Sequence, residues 1–216
     1  MPIRLSLDEL RREYTRAKLH EDDVLRDPFA QFEKWFNEAL SSSVAFPDAM
    51  TLATVSPEGT PDARVVLLKA LDEGGLIFFT NYESPTGRQL DTRPHASCVL
   101  WWPELERQVR VRGHVERVPE EMSDHYFKKR PRGAQLAAWC SAQSEIIAAR
   151  EILEQNLEEV EEQFRGMDVP RPRHWGGYRL VPHVFEFWQG RINRLHDRLR
   201  FRRDDKGIWI IERLAP

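Results

Sequence analysis

Cysteine is scarce in this chain, and its two copies form no recognisable motif. Cys98 and Cys140 are the only cysteines among 216 residues, and neither belongs to a CxxC or Cys/His spacing. Each lies among apolar neighbours, ASCVLWW and AAWCSA. Because free cysteine is among the most buried residue types, we predict two buried free thiols in a protein from a reducing compartment.

Long hydrophobic runs and a strong charge of one sign are also absent. The first residues, MPIRLSLDELRREY, contain no apolar segment of the kind that signal peptides carry, and no run approaches the length of a membrane span. The formal net charge is −3, so composition provides no general attraction to nucleic acid. We therefore predict a cytoplasmic protein that binds neither membranes nor nucleic acid.

The familiar catalytic motifs are missing as well. GxGxxG, Walker A, HExxH and GxSxG do not occur, no residues have metal-ligand spacing, and no Ser/His/Asp or Cys/His pairing is evident. The polar residues that are present bind anions and form hydrogen bonds rather than react. A bound organic cofactor would therefore have to supply any difficult chemistry, and no metal is expected.

Short segments of alternating apolar and polar residues fill much of the chain from Ala49 onward. Turn sequences such as PEG and DEGG separate them, which is typical of antiparallel strands joined by hairpins. We therefore predict a mainly β protein with peripheral helices (α+β), whose antiparallel strands form a barrel or closed sheet. The predicted strands are MTLATVS, ARVVLLKAL, LIFFTNY, HASCVLWWP, RQVRVRGHVERV, YRLVP, HVFEFWQG, RLRFRR and IWIIERL.

Helices are predicted around this sheet. Asp27-Pro28 is a typical helix start, and one buried stripe follows at helical spacing: Phe29, Phe32, Phe36 and Leu40. Residues 145–165 predict the clearest helix, with Ser144 as N-cap, an apolar seam that starts at Ile146 and an acidic solvated face. Shorter helices are predicted in SPTGRQLDTRP, EEMSDHYFKKR and GAQLAAWC, and a helix or arm over residues 7–19.

The stretch GRINRLHDRLRFRRDD concentrates positive charge in a chain that is slightly acidic. If residues 191–203 form a strand, one face carries Arg194, His196, Arg198, Arg200 and Arg202, and the other carries Leu195, Leu199 and Phe201. Arginine suits phosphate, and neighbouring positive charge favours a neutral His196 imidazole that can bond to a substrate hydroxyl. A solvated edge strand is the alternative interpretation.

Two further clusters point to an anionic ligand. Arg64 and Lys69 bracket the apolar ARVVLLK segment, where strand alternation directs them to opposite faces, so either both reach a ligand or one is a surface residue. Tyr126 and Arg130 lie one helical turn apart, which suits a stacked ring beside an anion, although a basic helix end is equally compatible.

Several motifs together resemble the pyridoxamine/pyridoxine 5′-phosphate oxidases. They are RVVLLK, FFTNYES, ERQVRVRG, YFKKRPRGAQ, AQSE and WGGYRLVPHVFEFWQGRINRLHDRLRFRR, and the similarity runs from about Leu10 to Pro216. The resemblance implies one FMN-binding split β-barrel domain over residues 1–216, with residues 1–20 as an N-terminal arm. It also implies a homodimer with FMN at the subunit interface.

The implied activity is oxidation of pyridoxine or pyridoxamine 5′-phosphate to pyridoxal 5′-phosphate. Hydride passes from the substrate C4′ carbon to flavin N5, and dioxygen is reduced to hydrogen peroxide. In this picture Lys69 and Arg130 bind the substrate phosphate, while Arg194 and His196 are the catalytic residues beside the pyridine ring. The implied substrate contacts are Arg11, Arg12, Glu13, Tyr14, Lys69, Tyr126, Arg130, Ala134, Arg194, Leu195 and His196. The implied FMN contacts are Arg64, Val65, Val66, Leu67, Leu68, Lys69, Phe79, Thr80, Pro85, Thr86, Gln108, Gln143, Ser144, Trp188 and Arg198.

This chain departs from the family pattern in two places. Pro85 and Thr86 occupy positions where basic residues usually meet the FMN phosphate, and Ala134 replaces a serine that bonds the substrate phosphate. The change at Pro85 and Thr86 keeps open a non-catalytic flavin or pyridoxal phosphate binding protein. The other alternative is a related flavin oxidase acting on another ring, such as a phenazine, although Tyr126, Arg130 and the RLH pattern favour the phosphorylated pyridine.

Overall fold

The computed structural model describes residues 13–72 and 74–216. Nine strands share one sheet in the order β2-β1-β5-β6-β7-β4-β3, with β8 beside β7 and β9 beside β8. The strand pairs β1–β2, β3–β4, β4–β7, β7–β8 and β8–β9 are antiparallel, which confirms the predicted fold class. The strands are β1 (Ala49–Val55), β2 (Pro61–Leu67), β3 (Ala70–Asp72), β4 (Gly75–Asn81), β5 (His95–Trp102), β6 (Arg107–Arg117), β7 (Trp175–Gln189), β8 (Asp197–Arg203) and β9 (Trp209–Arg213).

Five α-helices accompany the sheet within the described residues: α1 (Pro28–Leu40), α2 (Pro85–Thr92), α3 (Glu120–Lys129), α4 (Arg132–Cys140) and α5 (Glu151–Gln163). The predicted start of α1 is confirmed, because the Asp27 carboxylate accepts hydrogen bonds from the backbone N–H groups of Phe29 and Ala30. Ser84 caps α2 in the same way by accepting a bond from Gly87.

The chain divides into two compact units. The first contains the segment up to Pro47, Val99–Arg110 and Val184–Pro216, and the second contains Asp48–Cys98 and Val111–His183. In the first unit, α1 packs on β7, where the Trp35 and Phe187 ring centroids are 5.3 Å apart. The second unit has its own buried cluster: Phe127, Leu136, Phe164, Val169 and Trp175. The single domain over residues 1–216, with its arm over residues 1–20, remains a prediction.

The predicted valine alternation in β6 is confirmed, but the stripe of α1 differs from the prediction. Val109, Val111 and Val115 are all buried. On α1 the buried line runs through Phe32, Trp35 and Ala39, whereas Leu40 is exposed. Trp35, whose ring packs against Phe187 of β7, lies on this buried face, and Leu40 lies outside it.

The long helix begins later than predicted. It starts at Glu151, and Ile146 is exposed outside it. Ser144 has a φ of 73°, a left-handed conformation that neither an N-cap nor a helical residue adopts, so its predicted capping role is wrong. The end of the seam is as predicted, since Phe164 is buried in the second unit's core.

Residues 191–203 are not one strand. Ile192–Arg194 form a short 3₁₀ turn, and β8 begins only at Asp197. The predicted alternation therefore fails before Asp197, and Leu195 is 68% exposed instead of facing the core. From Asp197 onward it holds, because Leu199 and Phe201 are buried. The two strands predicted in WGGYRLVPHVFEFWQG are one continuous strand, β7.

Three smaller predictions have mixed outcomes. Cys98 is buried as predicted, but Cys140 at the end of α4 is only partly buried. Residues 13–19 contain no helix, and residues 7–12 lie outside the described part of the chain. No helix among the described residues has both the length and the apolar character to cross a membrane. Nor do any three His, Cys, Asp or Glu side chains in that part lie close enough to share a metal ion.

Candidate active site

The second unit contains a pocket of about 340 Å³. It lies beside β2 and β4, and the end of α3 contributes two of its residues. Nine of its ten lining residues are among those that the sequence predicted, and Trp175 is the one that was missed. The lining residues are Val65, Val66, Leu67, Lys69, Phe79, Thr80, Tyr126, Arg130, Gln143 and Trp175.

Three aromatic rings form one wall of this pocket. Phe79 stacks on Tyr126 with ring centroids 4.0 Å apart and an interplanar angle of 11°. Phe79 also lies nearly parallel to Trp175, at 5.3 Å and 7°. The guanidinium carbon of Arg130 is 4.6 Å from the Trp175 ring centroid, within the range of a cation–π contact. The wall therefore offers flat apolar surface next to a fixed positive charge.

Arg130 is the most unusual side chain in the pocket. It ends α3 as the C-cap residue, and its Nη1 atom is buried without a hydrogen-bond partner among the described residues. Burial lowers the pKa of the Arg130 guanidinium, and the neighbouring Tyr126 opposes that shift. Since arginine stays protonated in proteins, the group is a half-buried cation whose buried Nη1 donor is unsatisfied. Such donors are rare in native structures, so this one points to an anionic ligand.

Lys69 provides the second cation, and a carboxylate already accompanies it. It lies just beyond the end of β2, where its backbone N–H donates to Ile77 at 2.8 Å. Its Nζ atom is 2.9 Å from Oδ2 of Asp48, a residue that the sequence analysis did not single out. The backbone carbonyl of Asp48 accepts a bond from Leu68, which fixes the carboxylate near the pocket.

Arg64 does not share this pocket. Its guanidinium donates to Thr54 Oγ1 and pairs with Asp62, each at 2.5 Å, and Nη2 also contacts Gln89. Its donors thus serve β1, β2 and α2 rather than the pocket. The other predicted residues of this unit that do not line the pocket are Leu68, Pro85, Thr86, Ala134 and Ser144.

Pro85 and Thr86 occupy the first turn of α2. Thr86 is buried and Pro85 is half-buried, and proline has no N–H to donate. A smaller pocket of about 180 Å³ nearby is lined by Asn81, Glu83, Arg88, Ala142, Gln143 and Glu145. Gln143 belongs to both linings, so the two pockets adjoin at its side chain. The exposed Arg88 carries the main positive charge of the smaller pocket.

The first unit brings a second group of predicted residues together. The rings of Tyr14, Trp188 and His196 form a cluster with centroid distances of 4.7–5.6 Å. Tyr14 sits directly on Gly190, where an added Cβ would lie 2.6 Å from its Cγ atom. Trp101, which the sequence analysis did not identify, is 43% exposed and packs 5.8 Å from Trp188.

His196 has a defined hydrogen-bonding state in this cluster. Its Nδ1 atom lies 3.1 Å from the backbone N–H of Arg191, which can only donate, so Nδ1 accepts. Burial lowers the pKa of His196, and the charge of Arg194 adds to the effect while Asp197 opposes it. A neutral imidazole that accepts at Nδ1 carries its proton on Nε2, which makes Nε2–H a donor.

The remaining predicted residues of the first unit lie around this cluster or nearby. Arg198 donates from Nε to Glu186 at 2.9 Å and from Nη1 to the Ala215 carbonyl at 2.8 Å. Gln108 is half-buried on β6, and Glu13, Arg194 and Leu195 are exposed. The predicted Arg11 and Arg12 lie outside the described residues. The ligand roles of all these residues remain predictions.

The sequence of this chain matches two family profiles. Residues 36–164 match the profile described as "Pyridoxamine 5'-phosphate oxidase". Residues 175–216 match that of the "Pyridoxine 5'-phosphate oxidase C-terminal dimerisation region". The chain is 55% identical, over 97% of its length and 99% of the relative's, to the pyridoxine/pyridoxamine 5′-phosphate oxidase of Salinibacter ruber (strain DSM 13855 / M31).

Two solved structures share the fold. PhzG from Burkholderia lata 383, in complex with tetrahydrophenazine-1-carboxylic acid, is 33% identical with a TM-score of 0.85, covering 90% of this chain and 95% of that one. A pyridoxamine 5′-phosphate oxidase-related, FMN binding protein from Nostoc punctiforme PCC 73102 is 18% identical with a TM-score of 0.71, covering 88% and 98%. These similarities confirm the predicted split-barrel class. With both profiles and a close full-length relative in agreement, the chain belongs to the pyridoxamine 5′-phosphate oxidase family.

Proposed function

We propose that this protein is an FMN-dependent oxidase that converts pyridoxine and pyridoxamine 5′-phosphates to pyridoxal 5′-phosphate. The observation that carries the proposal is Arg130, a half-buried cation whose buried Nη1 has no hydrogen-bond partner among the described residues, at the end of a flat aromatic wall. A phosphorylated aromatic ring fits this pocket, because a phosphate oxygen can accept a hydrogen bond from Arg130 Nη1 while the ring lies along the apolar wall. The family match supports the same substrate class.

The two residue groups have different tasks in this proposal. Lys69, Arg130 and Tyr126 bind the phosphate, and the protein is a homodimer, as its match to a dimerisation region supports. Arg194 and His196 contact the substrate ring, where the Nε2–H of neutral His196 donates to the oxygen or nitrogen on C4′. Tyr14, whose ring packs against His196, is a further proposed substrate contact. We further propose that the protein is cytoplasmic.

FMN fits the residues that surround the pocket. The exposed apolar side chains of Val65 and Leu67 on the edge strand β2 offer a surface for the isoalloxazine ring, and Thr80 and Gln143 offer polar contacts. Trp188, Gln108 and Arg198 of the first unit complete the proposed FMN contacts. Bound FMN would accept hydride from C4′ and pass two electrons to dioxygen, which yields hydrogen peroxide.

The overall reaction balances for both substrates. The alcohol and dioxygen give the aldehyde and hydrogen peroxide. The amine also consumes one water and releases ammonia. The chain's own residues bind the phosphate, orient C4′ and supply a hydrogen-bond donor to its substituent. None of them has to change oxidation state, in keeping with the absence of a reactive side-chain pair among the predicted residues.

We expect FMN to dissociate more readily than a fully basic phosphate site would allow. Pro85 donates no hydrogen bond and Thr86 donates only neutral ones, whereas each lost charge-assisted bond to phosphate is worth about 1.5–3 kcal/mol. After extensive dialysis, the visible spectrum should show incomplete flavin occupancy that added FMN restores. Thr86→Lys should retain more flavin, and full occupancy of the dialysed wild-type protein would contradict this expectation.

The decisive test is turnover of the FMN-loaded protein. Aldehyde and peroxide should form in equal amounts from pyridoxine 5′-phosphate, and they should form slowly or not at all from unphosphorylated pyridoxine. The similarity to PhzG makes a tetrahydrophenazine carboxylic acid the second substrate to test. Preferred turnover of that acid would replace the proposed substrate, and flavin binding without turnover of either compound would indicate a binding protein.

Asp48 should weaken phosphate binding, because its carboxylate pairs with Lys69 beside the proposed phosphate site. We expect Asp48→Asn to lower KM for pyridoxine 5′-phosphate at least about three- to tenfold, since an opposing charge about 4 Å away costs on the order of 1 kcal/mol even at the dielectric constant of bulk water. The advantage should shrink at high salt. Steady-state kinetics at low and high ionic strength check this, and a higher KM would mean that Asp48 instead orients Lys69 for binding.

A further inference from the structure

We propose that Arg191 and Asp197 are positioning residues whose ion pair holds the 191–196 loop so that His196 keeps its accepting Nδ1 and donating Nε2. The inference rests on the proposed function, because it explains how His196 is prepared for the substrate. Neither residue is among the substrate or FMN contacts proposed above. All the contacts that carry it lie within the first unit.

The loop adopts a backbone conformation that needs external support. Asn193 and Arg194 have φ values of 57° and 62°, in the left-handed region that side chains other than glycine rarely adopt. Two such residues in succession persist only where surrounding bonds hold them. Within the loop itself, the turn is closed by one backbone bond, from Leu195 N–H to Ile192 at 3.2 Å.

Arg191 supplies two bonds that restrain this turn from outside. Its Nη1 atom is 2.8 Å from Oδ2 of Asp197, so the residues on either side of the loop are tied together. Its backbone N–H then points at His196 Nδ1, 3.1 Å away. The same residue thus closes the loop through its side chain and sets the imidazole tautomer through its main chain.

Asp197 joins this loop to two other segments. Its Oδ2 also accepts from the backbone N–H of Leu19 at 3.1 Å, and its Oδ1 pairs with Arg213 of β9 at 2.8 Å. Arg213 in turn binds both carboxylate oxygens of Glu21 and the Leu19 carbonyl. The segment that leads back to Tyr14 and the loop that carries His196 therefore share one carboxylate.

The Asp197 carboxylate is suited to this role because it is buried and ionised. It is 8% exposed, and although burial works against ionisation, hydrogen bonds from Leu19, Arg191 and Arg213 lower its pKa. The three donors belong to different segments of the chain, so the carboxylate joins the segment at Leu19, the 191–196 loop and strand β9. Loss of the Arg191 bond should therefore free the loop while Arg213 and Leu19 keep the rest of the unit in place.

The test compares Arg191→Met and Asp197→Asn with the wild-type protein. Arg200→Met is the matched control, because Arg200 in β8 pairs with Glu212 at 2.6 Å and touches neither the loop nor His196. All proteins are loaded with FMN and labelled with nitrogen-15 histidine, and the His196 signals are assigned with a His196→Gln variant. Tautomer populations, flavin content, Tm, and the KM and kcat for pyridoxine 5′-phosphate are measured.

The wild-type and Arg200→Met proteins should show one His196 tautomer with unprotonated Nδ1. Arg191→Met should show a mixture of both tautomers and lose at least tenfold in kcat, with KM changed less than threefold because the phosphate contacts are elsewhere. Arg191→Lys should restore part of both readouts. An unchanged His196 tautomer in Arg191→Met would overturn the proposal, even if activity falls.

Two outcomes need separate interpretation. If Asp197→Asn does not fold, Arg191→Met decides the matter, since the Arg191 side chain is more exposed than that of Asp197, at 25% against 12%. If the wild-type protein turns over no pyridine substrate, the proposed function fails. The nitrogen signals still report whether Arg191 sets the state of His196, so the two failures are distinguishable.

Discussion

Replacing Arg130 with glutamine should lower kcat/KM for pyridoxine 5′-phosphate about 10²- to 10⁴-fold. The substitution removes a half-buried guanidinium that can donate two charge-assisted hydrogen bonds to the phosphate, each worth about 1.5–3 kcal/mol. At about 1.4 kcal/mol per factor of ten, the two bonds account for the expected range. The loss should appear mainly in KM and in the affinity for the product, since the proposed role is to bind rather than to react.

The same variant should not destabilise the ligand-free protein. Arg130 Nη1 has no hydrogen-bond partner among the described residues, and burial lowers the pKa of the guanidinium, so its removal relieves an unfavourable desolvation of charge that offsets the lost cation–π contact with Trp175. Tm of Arg130→Gln should equal or exceed that of the wild type.

Lys129→Gln is the matched control, because it removes the same charge one residue earlier on the exposed face of α3. It should leave kcat/KM within about twofold of the wild type, since exposed charges contribute little. If Lys129→Gln and Arg130→Gln lose the same activity, general attraction of the anion rather than a specific contact explains the pocket.

The elements with strong local signals could be predicted from sequence. Strand β6 alternates buried valines with exposed polar residues, and helix α1 begins at an aspartate followed by proline, so local chemistry and final structure agree. The strand order could not be derived in the same way. The pairing of β7 with both β4 and β8 is a non-local contact that no short pattern encodes.

Two of the failures occur where non-glycine residues adopt a left-handed backbone. Ser144 looked like a helix cap, and Arg194 looked like part of a strand, because both residue types fit those patterns locally. Their observed conformations depend on surrounding structure, such as the Arg191–Asp197 pair that closes the loop before β8. Positions of this kind often occur at functional sites, where a regular element would direct the side chain differently.

Part of the site could be predicted because some of its residues belong to short sequence motifs. Lys69, Tyr126 and Arg130 belong to motifs that carry the family resemblance, and they do line one pocket. Trp175 and Asp48 were missed because their importance arises from a stacked ring and an ion pair with residues distant in sequence. The motifs also gave no sign that the predicted residues form two groups, one around the pocket of the second unit and one around His196 in the first unit.

Gly113 should be the least replaceable glycine of the sheet. A Cβ atom added there would lie 1.9 Å from the Val181 carbonyl oxygen and 2.7 Å from its carbonyl carbon. Both atoms belong to the backbone of β7, so no side-chain rotation can make room, and the two strands would have to move apart. We expect Gly113→Ala to destabilise the protein by about 3 kcal/mol or more, the upper range for overpacking.

Gly133→Ala separates this steric effect from a general effect of replacing glycine. No atom lies within 4 Å of a Cβ added at Gly133, which is in the first turn of α4, so alanine should be neutral or stabilise by up to about 1 kcal/mol. For a chain of this size, each kcal/mol shifts Tm by about 2–4 °C, so the two variants should melt at least about 6 °C apart. Because pocket residues Phe79 and Thr80 lie on β4, which pairs with the same strand β7, Gly113→Ala should also lose flavin. Equal melting temperatures for the two variants would show that β6 and β7 can separate at Gly113 without cost, contrary to the close backbone approach seen there.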